Sequence, residues 1–265
     1  MVGLGEAGKN IVKLFKPHTS NYKIIIFDEN DGLEPMSSVE EYDEQEIKLK
    51  HKGLSKHDEA MLFVCGSGKV AGASLRILEA LKGFKTTIVY IVPDLEFSSD
   101  REQKRHRAHF GILQEYTRSG MVNDMIILEN KKMFEVAGTG TTLKYFEKVN
   151  FLIYNTIQNI MYCRHVKPDF GRLHERKEIS SISTIGLGKF PEEEKLLFLL
   201  DNITETCYII NIEEEDLDND ESIIPSCQNI VRENKALARN TSFAIWKSSD
   251  ENNYFSIHYT HFIQE

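Results

Sequence analysis

The chain is short of basic charge, with 32 Lys and Arg against 41 Asp and Glu in 265 residues, a formal net charge of −9. A protein that coats nucleic acid neutralises phosphates with clustered cations, so that class is set aside. Long apolar runs are also missing. Ala60 to Cys65 is typical of the longest, far below the roughly 20 residues that cross a bilayer, and membrane insertion is not expected. No charged-then-apolar leader precedes a small-residue cleavage site, so secretion is not expected either. Only four cysteines are present, Cys65, Cys163, Cys207 and Cys227, widely spaced and without a CxxC pair. They fit reduced thiols in a cytoplasmic protein rather than a secreted disulfide scaffold.

What remains is ordinary globular material, 41% apolar and 28% charged, long enough for one large domain or two moderate ones. The first two-thirds alternates short apolar runs with amphipathic stretches, the pattern of a parallel sheet covered by helices. Strands are expected at Met1–Leu4, at Tyr22–Asp28 as a buried strand, and at Ala60–Cys65, Thr86–Val92 and Met125–Leu128. Helices are expected over Lys9–Lys16, Ala71–Lys82 and Asp100–Thr117. A long helix from Leu143 to Cys163 carries Phe146, Val149, Ile153, Ile157 and Ile160 at three-to-four spacing, with no Pro or Gly to interrupt it. After Pro168 strands follow one another: Ile179–Ile185, Tyr208–Ile212, Ser242–Lys247 and Tyr254–Phe262, with a helix over Ile223–Ala238. The last two strands read as a hairpin closed by Asp250–Asn253. This predicts an α/β fold: a Rossmann-like domain over residues 1–145, a central helix and loop over 146–168, and a smaller mixed-sheet α+β domain over 169–265. The stretch from Glu29 to Glu46 holds eight acids and no base, most simply a solvated loop.

Chemistry is concentrated in two glycine clusters. Gly3-Leu4-Gly5-Glu6-Ala7-Gly8 lies between a strand stub and a helix. Glycine there lets backbone approach a phosphate, and the free N–H groups of a helix start bind it. Asp28 ends the next strand 20 residues beyond Gly8, where a Rossmann domain carries its ribose acid. A tight strand-to-helix turn that needs glycine is the plain alternative. The second cluster is Gly66-Ser67-Gly68-Lys69-Val70-Ala71-Gly72. It fails as a Walker A loop, because Phe63 and Val70 stand where that motif needs Gly and Ser or Thr. Two glycine loops at the ends of neighbouring strands are able to clasp one polyphosphate from two sides.

In this arrangement the chain resembles the tubulin/FtsZ superfamily along nearly its whole length. GLGEAGKNIVKLF looks like the family's first nucleotide loop, with Gly3, Gly5, Gly8 and Asn10 in matching places. FVCGSGKVAGAS, from Phe63, falls on the GGGTGTG signature. VPDLEFSSDREQKRHRAHFGILQEY is similar to the VTKPFxFEGxxR segment, which puts Phe97 on an aromatic, Asp100 on the ribose-binding acid and Lys104 on a basic contact. MIILENKKMFEV puts Asn130 on a guanine-contacting asparagine. FEKVNFLIYNTIQNIM puts Phe146 on the base-stacking aromatic and Asn150 on a base reader. PDFGRL resembles the DFADV loop, whose acids complete the active site of the next subunit, and Asp169 takes the catalytic place. The tail follows the order of the family's C-terminal domain. The resemblance implies a cytoplasmic GTP/GDP-binding protein, with Mg as a companion, that assembles head to tail with itself. A heterologous contact of that kind does not close, so filaments follow. Hydrolysis would depend on assembly. The binding residues so implied are Gly3, Gly5, Gly8, Asn10, Asp28, Gly66, Ser67, Gly68, Lys69, Gly72, Asp100, Lys104, Asn130, Phe146 and Asn150.

The departures are specific. The signature loop has Lys69, Val70 and Ala71 where the family has two threonines and a glycine between them. Lys69 either contacts phosphate or is a solvated loop lysine. Between Asp28 and Ala60 the chain is shorter than in FtsZ and lacks the glycine-rich loop that senses the terminal phosphate. Arg172 stands in place of the second acid, with His174 and Glu175 nearby. The compact form is most similar to phage-borne or plasmid-borne relatives, which would place it in a host cytoplasm. Two rival readings follow: a non-hydrolysing assembly or scaffold protein, and an NAD-binding oxidoreductase built on the first glycine turn and Asp28. No metal site is expected. His106 and His109 lie one helical turn apart without a third ligand and fit a polar helix face. The acidic triplet Asp216, Asp218, Asp220 fails as a calcium loop, because Glu221 and Cys227 occupy the required Gly and Glu positions. No GxSxG elbow is present. Arg101, Lys104, Arg105 and Arg107 form a basic turn that meets phosphate, an acidic neighbour or water.

Overall fold

Five apolar runs of the first unit, Met1–Tyr154, form an all-parallel sheet in the computed structural model. They are β1 (Val2–Leu4), β2 (Ile25–Phe27), β3 (Glu59–Cys65), β4 (Lys85–Val92) and β5 (Asp124–Glu129), in the order β2-β1-β3-β4-β5. The structure describes residues 1–18, 22–29, 58–138, 144–234, 238–249 and 252–265, with Leu33, Pro35 and Ile47. Nearly all of the acidic stretch from Glu29 to Glu46 lies outside the described residues, as do Leu143, residues 235–237, Asp250 and Glu251.

β3, β4 and β5 are apolar almost throughout because helices cover both faces of a parallel sheet. The expected strand at Tyr22–Asp28 is shorter, and its residues are half-buried rather than buried. Among the described residues β2 pairs only with β1, and an edge strand has one neighbour to shield it. Helix α1 (Gly5–Leu14) begins four residues before the expected Lys9. The first glycine cluster is therefore the opening turn of the helix, not a loop before it. Close approach explains the glycines: a Cβ at Gly3 would sit 2.6 Å from the Gly8 carbonyl oxygen and 2.7 Å from Val12, and one at Gly8 would strike the Phe63 carbonyl. Without them α1 could not bury Ile11 and Val12 where it does.

A 3-10 turn, Ala71–Ala73, leads into α2 (Ser74–Ala80). Helix α3 (Asp100–Arg118) starts at a capping box, with Ser99 and Glu102 satisfying each other's backbone N–H groups. It buries His106, His109, Phe110, Leu113 and Thr117, one stripe of its surface. The expected polar face for the two histidines is thus wrong: both lie inside. Helix α4 (Asn130–Ala137) was not anticipated. Helix α5 (Tyr145–His165) matches the expected long helix, about 30 Å by the α-helical rise. Val149, Ile153, Ile157 and Ile160 are buried as the spacing requires, whereas Phe146 is 65% exposed. The boundary between the two units falls within this helix.

The second unit, Asn155–Glu265, contains β6 (Phe170–Gly171), β7 (Ile182–Lys189), β8 (Lys195–Leu196), β9 (Glu205–Glu213), α6 (Glu214–Asn219), α7 (Ile223–Asn234), β10 (Asn240–Ser248) and β11 (Asn253–Thr260). Its strands run β7-β11-β9-β10-β6, with β8 on β7. Only β9 and β10 are parallel in this mixed sheet. The expected terminal hairpin does not form. β10 and β11 lie on opposite sides of β9, which is buried along nearly its whole length and so takes a partner on each edge. The four residues between them suffice to cross about 10 Å, two strand spacings. The strand expected at Ile179–Ile185 runs instead from Ile182 to Lys189, through Gly186 and Gly188. Across the β7–β11 ladder the Tyr254 ring occupies the space that a Gly188 side chain would need. Ile223, Cys227 and Ile230 of α7 close the core on Tyr208, Ile210, Ile245 and Tyr254.

Gly8→Ala should lower stability by roughly 1–3 kcal/mol, the usual cost of forcing atoms into a packed core. Urea unfolding checks this; an unchanged midpoint would show that α1 does not need its close contact with β3.

Candidate functional site

Strand order fixes where a ligand fits. From β1 the chain passes to β2 on one side, and from β3 to β4 on the other. In open parallel sheets the crevice outside the carboxyl ends of such diverging strands is the binding place. A cavity of 520 Å³ lies there, within the range of small-molecule sites. Its walls are Leu4–Ala7 at the β1–α1 junction, Asp28 and Glu29 after β2, Cys65 and Ser67–Ala71 after β3, and Glu102 of α3.

Two helical starts open onto this cavity without side-chain caps. Leu4 caps α1 and Val70 caps the 3-10 turn, and neither supplies a side-chain acceptor. Ser99 does so for α3. The N–H groups at Gly5, Glu6 and Ala7 thus lack the usual intramolecular acceptor, and such groups with their dipole favour an anion. Gly5 adopts φ +70° and lines the cavity, a conformation that disfavours a side chain.

The side chains carry the opposite sign. Glu6, Asp28, Glu29 and Glu102 line the cavity against one lining cation, Lys69. Lys69 is exposed and pairs with Glu29 at 3.6 Å. Lys9, unnoticed in the sequence, meets the buried Asp28 carboxylate at 2.5 Å, and this hydrogen bond raises its pKa. Asp28 lines the cavity with its charge offset by Lys9 through one carboxylate oxygen. Hydrogen bonds from Ser99 lower the Glu102 pKa, so it stays charged. Among the described residues no three His, Cys, Asp or Glu side chains form a metal-holding group.

The second loop rests on an aromatic floor. Phe110 stacks on Tyr90 and on His106 at centroid distances of 5.2 Å, and the Tyr90 hydroxyl lies 2.9 Å from His106 Nδ1. A Cβ at Gly66 would strike the Tyr90 hydroxyl and lie 2.6 Å from His106 Nδ1. Arg105 donates to the Ser67 and Gly68 carbonyls at 3.1 and 3.0 Å, fixing the loop from α3. Burial pushes both imidazoles, His106 and His109, down to about 4.

Of the residues singled out from the sequence, Gly5, Asp28, Ser67, Gly68 and Lys69 line the one cavity. Gly3, Gly8 and Gly66 serve the packing beneath it. Asn10, Gly72, Asp100, Lys104, Asn130, Phe146 and Asn150 are not among its lining residues. Asn10 donates to Glu6 along α1, Asp100 and Lys104 are exposed on α3, and Asn130 and Asn150 are half-buried. Phe146 packs edge-on to Tyr145, which meets Phe134 at 4.5 Å. In the second unit Asp169 is exposed, and its Oδ2 accepts the Lys247 backbone N–H at 2.9 Å. Sequence reading missed Lys9, Cys65 and Glu102 as site residues, and Arg105 of the basic turn meets backbone carbonyls, a partner not foreseen for it. Only the spacing of Glu102 from Ser99, a capping box, was a local signal for any of them.

No family model and no curated protein matches the sequence. Solved structures do. A GTPγS-bound protofilament of CetZ2 from Haloferax volcanii is similar over 97% of this chain and 91% of its own, with a TM-score of 0.66 at 10% identity. An empty FtsZ dimer from M. jannaschii gives 98%, 88%, 0.63 and 12% for the same measures. A GTPγS-form protofilament of TubZ from Bacillus thuringiensis serovar israelensis gives 99%, 87%, 0.61 and 12%. The chain has the tubulin/FtsZ fold, as the sequence resemblance implied.

The buried histidines set a pH dependence. Both are neutral in the folded chain, with pKa near 4, and titrate near 6.5 when unfolded. Above pH 6.5 they cost nothing. As pH falls from 6.5 towards 4 the unfolded chain takes up more protons, and stability drops by about 2–4 kcal/mol by pH 5. Urea unfolding at pH 7.5 and 5 should show this drop, reduced in His109→Gln. An equal slope in that variant would assign the pH dependence to other groups.

Proposed function

We propose that the chain is a guanine-nucleotide-binding protein of the tubulin/FtsZ kind that assembles head to tail into filaments. The observation that carries this is the uncapped start of α1 and the second glycine loop opening together onto one cavity at the switch point of the sheet. The solved proteins that share the fold include nucleotide-bound protofilaments, which supports the same reading. Backbone N–H groups of Gly5–Ala7 and of Ser67, Lys69 and Val70 would hold the phosphates, those of Gly68 and Ala71 being bonded to the Cys65 and Gly68 carbonyls, with Lys69 exchanging Glu29 for a phosphate oxygen. Asn130 and Asn150 would read the guanine edge, and Phe146 would stack on the base. The cavity wall sets four carboxylates against Lys9 and Lys69, and a divalent cation such as Mg, which prefers phosphate and carboxylate oxygens, would offset the remaining negative charge beside a polyphosphate.

Asp169 would complete the site of the adjacent subunit. The Lys247 N–H fixes one carboxylate oxygen and leaves the other to orient or deprotonate a water beside the terminal phosphate. Arg172, in the place of a second acid, forms no ion pair with Asp169 among the described residues, so Asp169 would act as the single acid. That single acid is also what keeps a non-hydrolysing assembly protein as the second reading.

The purified protein should bind GTP in the presence of Mg, and much more weakly ATP and NAD. Phosphate release per subunit should rise with protein concentration, because each site needs two chains. Asp169→Ala should abolish release while GTP affinity stays within about twofold, since its carboxylate is bonded to its own chain's backbone. Asn150→Ala should weaken GTP by about one to two decades. No release at any concentration, with binding and assembly intact, would select the non-hydrolysing reading. Absence of GTP binding would overturn the whole.

A further inference from the structure

One member of the basic turn on α3 is committed within its own chain. Arg105 Nη1 donates to the Ser67 carbonyl at 3.1 Å and to the Gly68 carbonyl at 3.0 Å, in a part-buried position. Both acceptors belong to the second glycine loop, whose Ser67–Ala71 segment lines the cavity, whereas Arg105 is not among the lining residues. The support on which Arg105 stands is firm. Helix α3 starts at a capping box and buries His106, His109 and Phe110. Gly66, at the head of the loop, lies so close to Tyr90 and His106 that no Cβ fits between them, and its N–H is bonded to the Ile91 carbonyl at 3.0 Å.

Peptide geometry carries this hold across to the cavity side. The N–H and C=O of one trans peptide point in opposite directions. With the Ser67 carbonyl on Arg105, the Gly68 N–H faces the Cys65 carbonyl and donates to it at 3.1 Å. The Gly68 carbonyl is shared between Arg105 and the Ala71 N–H, which leaves the Lys69 N–H on the side away from Arg105. Lys69 borders the cavity there. The loop has little of its own to enforce this orientation. Lys69, Val70 and Ala71 bring no hydroxyl or amide side chain, and glycine at position 68 lets the peptide before it rotate at small steric cost. A rotated peptide would turn a carbonyl oxygen, which repels phosphate, to where N–H groups attract it.

We propose that Arg105 is a positioning residue of the nucleotide site: from behind the second glycine loop it holds two carbonyls out of the cavity and so turns the loop's N–H groups towards the phosphates. This rests on the nucleotide reading above. Arginine suits the task, since its guanidinium stays charged and offers several donors from one planar head. Lys69 would meet phosphate with its own side chain, whereas Arg105 acts through the backbone that carries Lys69.

The test compares Arg105→Ala and Arg105→Lys with the parent, below the assembly concentration, with far-ultraviolet circular dichroism to confirm that each folds. Without nucleotide, release of the loop in Arg105→Ala should speed alkylation of Cys65 by a small maleimide about threefold or more, because the Cys65 carbonyl anchors the Gly68 N–H. Loss of a cation alone acts in the opposite sense, since nearby positive charge favours the reactive thiolate. An unchanged or slower rate would therefore overturn the positioning role. With Mg present, Arg105→Ala should raise the GTP dissociation constant about ten- to a hundredfold, the equivalent of one lost charge-assisted hydrogen bond. Arg105→Lys, which keeps a donor and the charge, should recover most of that loss. Guanosine has no phosphate, and its displacement of a fluorescent GTP analogue should give the same affinity for Arg105→Ala as for the parent. Equal losses for guanosine and GTP would mean general damage to the site, and faster alkylation with unchanged GTP affinity would mean a loop that does not serve phosphate; either overturns the proposal alone. A parent that binds no GTP would overturn the nucleotide reading and this proposal with it.

Discussion

The approach of α1 to β1 and β3 sets the geometry of everything around the cavity. Gly3 and Gly8 bring backbone to backbone at a distance no Cβ allows, so the helix starts directly at the strand's end, with Leu4 as its cap and no loop between. The cap position thereby falls on Leu4, a buried strand residue whose side chain has no acceptor to offer. The first N–H groups of α1 are left at the cavity wall, and the anion-binding character follows from that.

The same cavity is acidic, and the two facts belong together. Helix termini offer partial charge that is fixed in place, whereas Glu6, Asp28, Glu29 and Glu102 offer full negative charge. Lys9 and Lys69 are spent on two of these carboxylates. A polyphosphate can displace an exposed lysine such as Lys69 from Glu29 at little cost, because exposed pairs are weak. The buried Lys9–Asp28 pair is a different matter, since breaking it would leave an uncompensated charge. Nucleotide chemistry in this chain thus divides into a rigid part, α1 with its buried ion pair, and an adaptable part, the Lys69 loop held by Arg105.

Much of the fold was legible in the sequence because periodicity reports burial. The parallel sheet, the mixed second sheet and the long helix follow from apolar runs and three-to-four spacing. The errors arose where pairing over distance decides. β9 takes β10 and β11 on its two edges, and no local pattern states which of two sequential strands lies between others. The strand expected at Ile179–Ile185 continues to Lys189 through Gly186 and Gly188, where Ser256 with Glu194 and the Tyr254 ring fill the space of the missing side chains. In the site, glycines were visible and their purposes were not. Gly3, Gly8 and Gly66 answer packing, whereas Gly5 and Gly68 line the cavity. The histidines on α3 looked solvated because their neighbour Tyr90 lies on another strand. Lys9 and Arg105 act through partners 19 and 37 or more residues away, beyond the reach of any local motif.

Cys65 offers the most direct view of the cavity. It is the one cysteine that lines it, and Cys163, Cys207 and Cys227 are buried elsewhere. Alkylation of Cys65 by a small maleimide, followed by intact-mass spectrometry at a concentration below assembly, measures occupation of that space. The account predicts that GTP with Mg slows Cys65 modification in a saturable manner, with Cys65→Ser as the unlabelled control and NAD without effect. A Cys65 alkylation rate indifferent to GTP, at concentrations where GTP is bound, would contradict the placement of the nucleotide at the start of α1 and the second glycine loop.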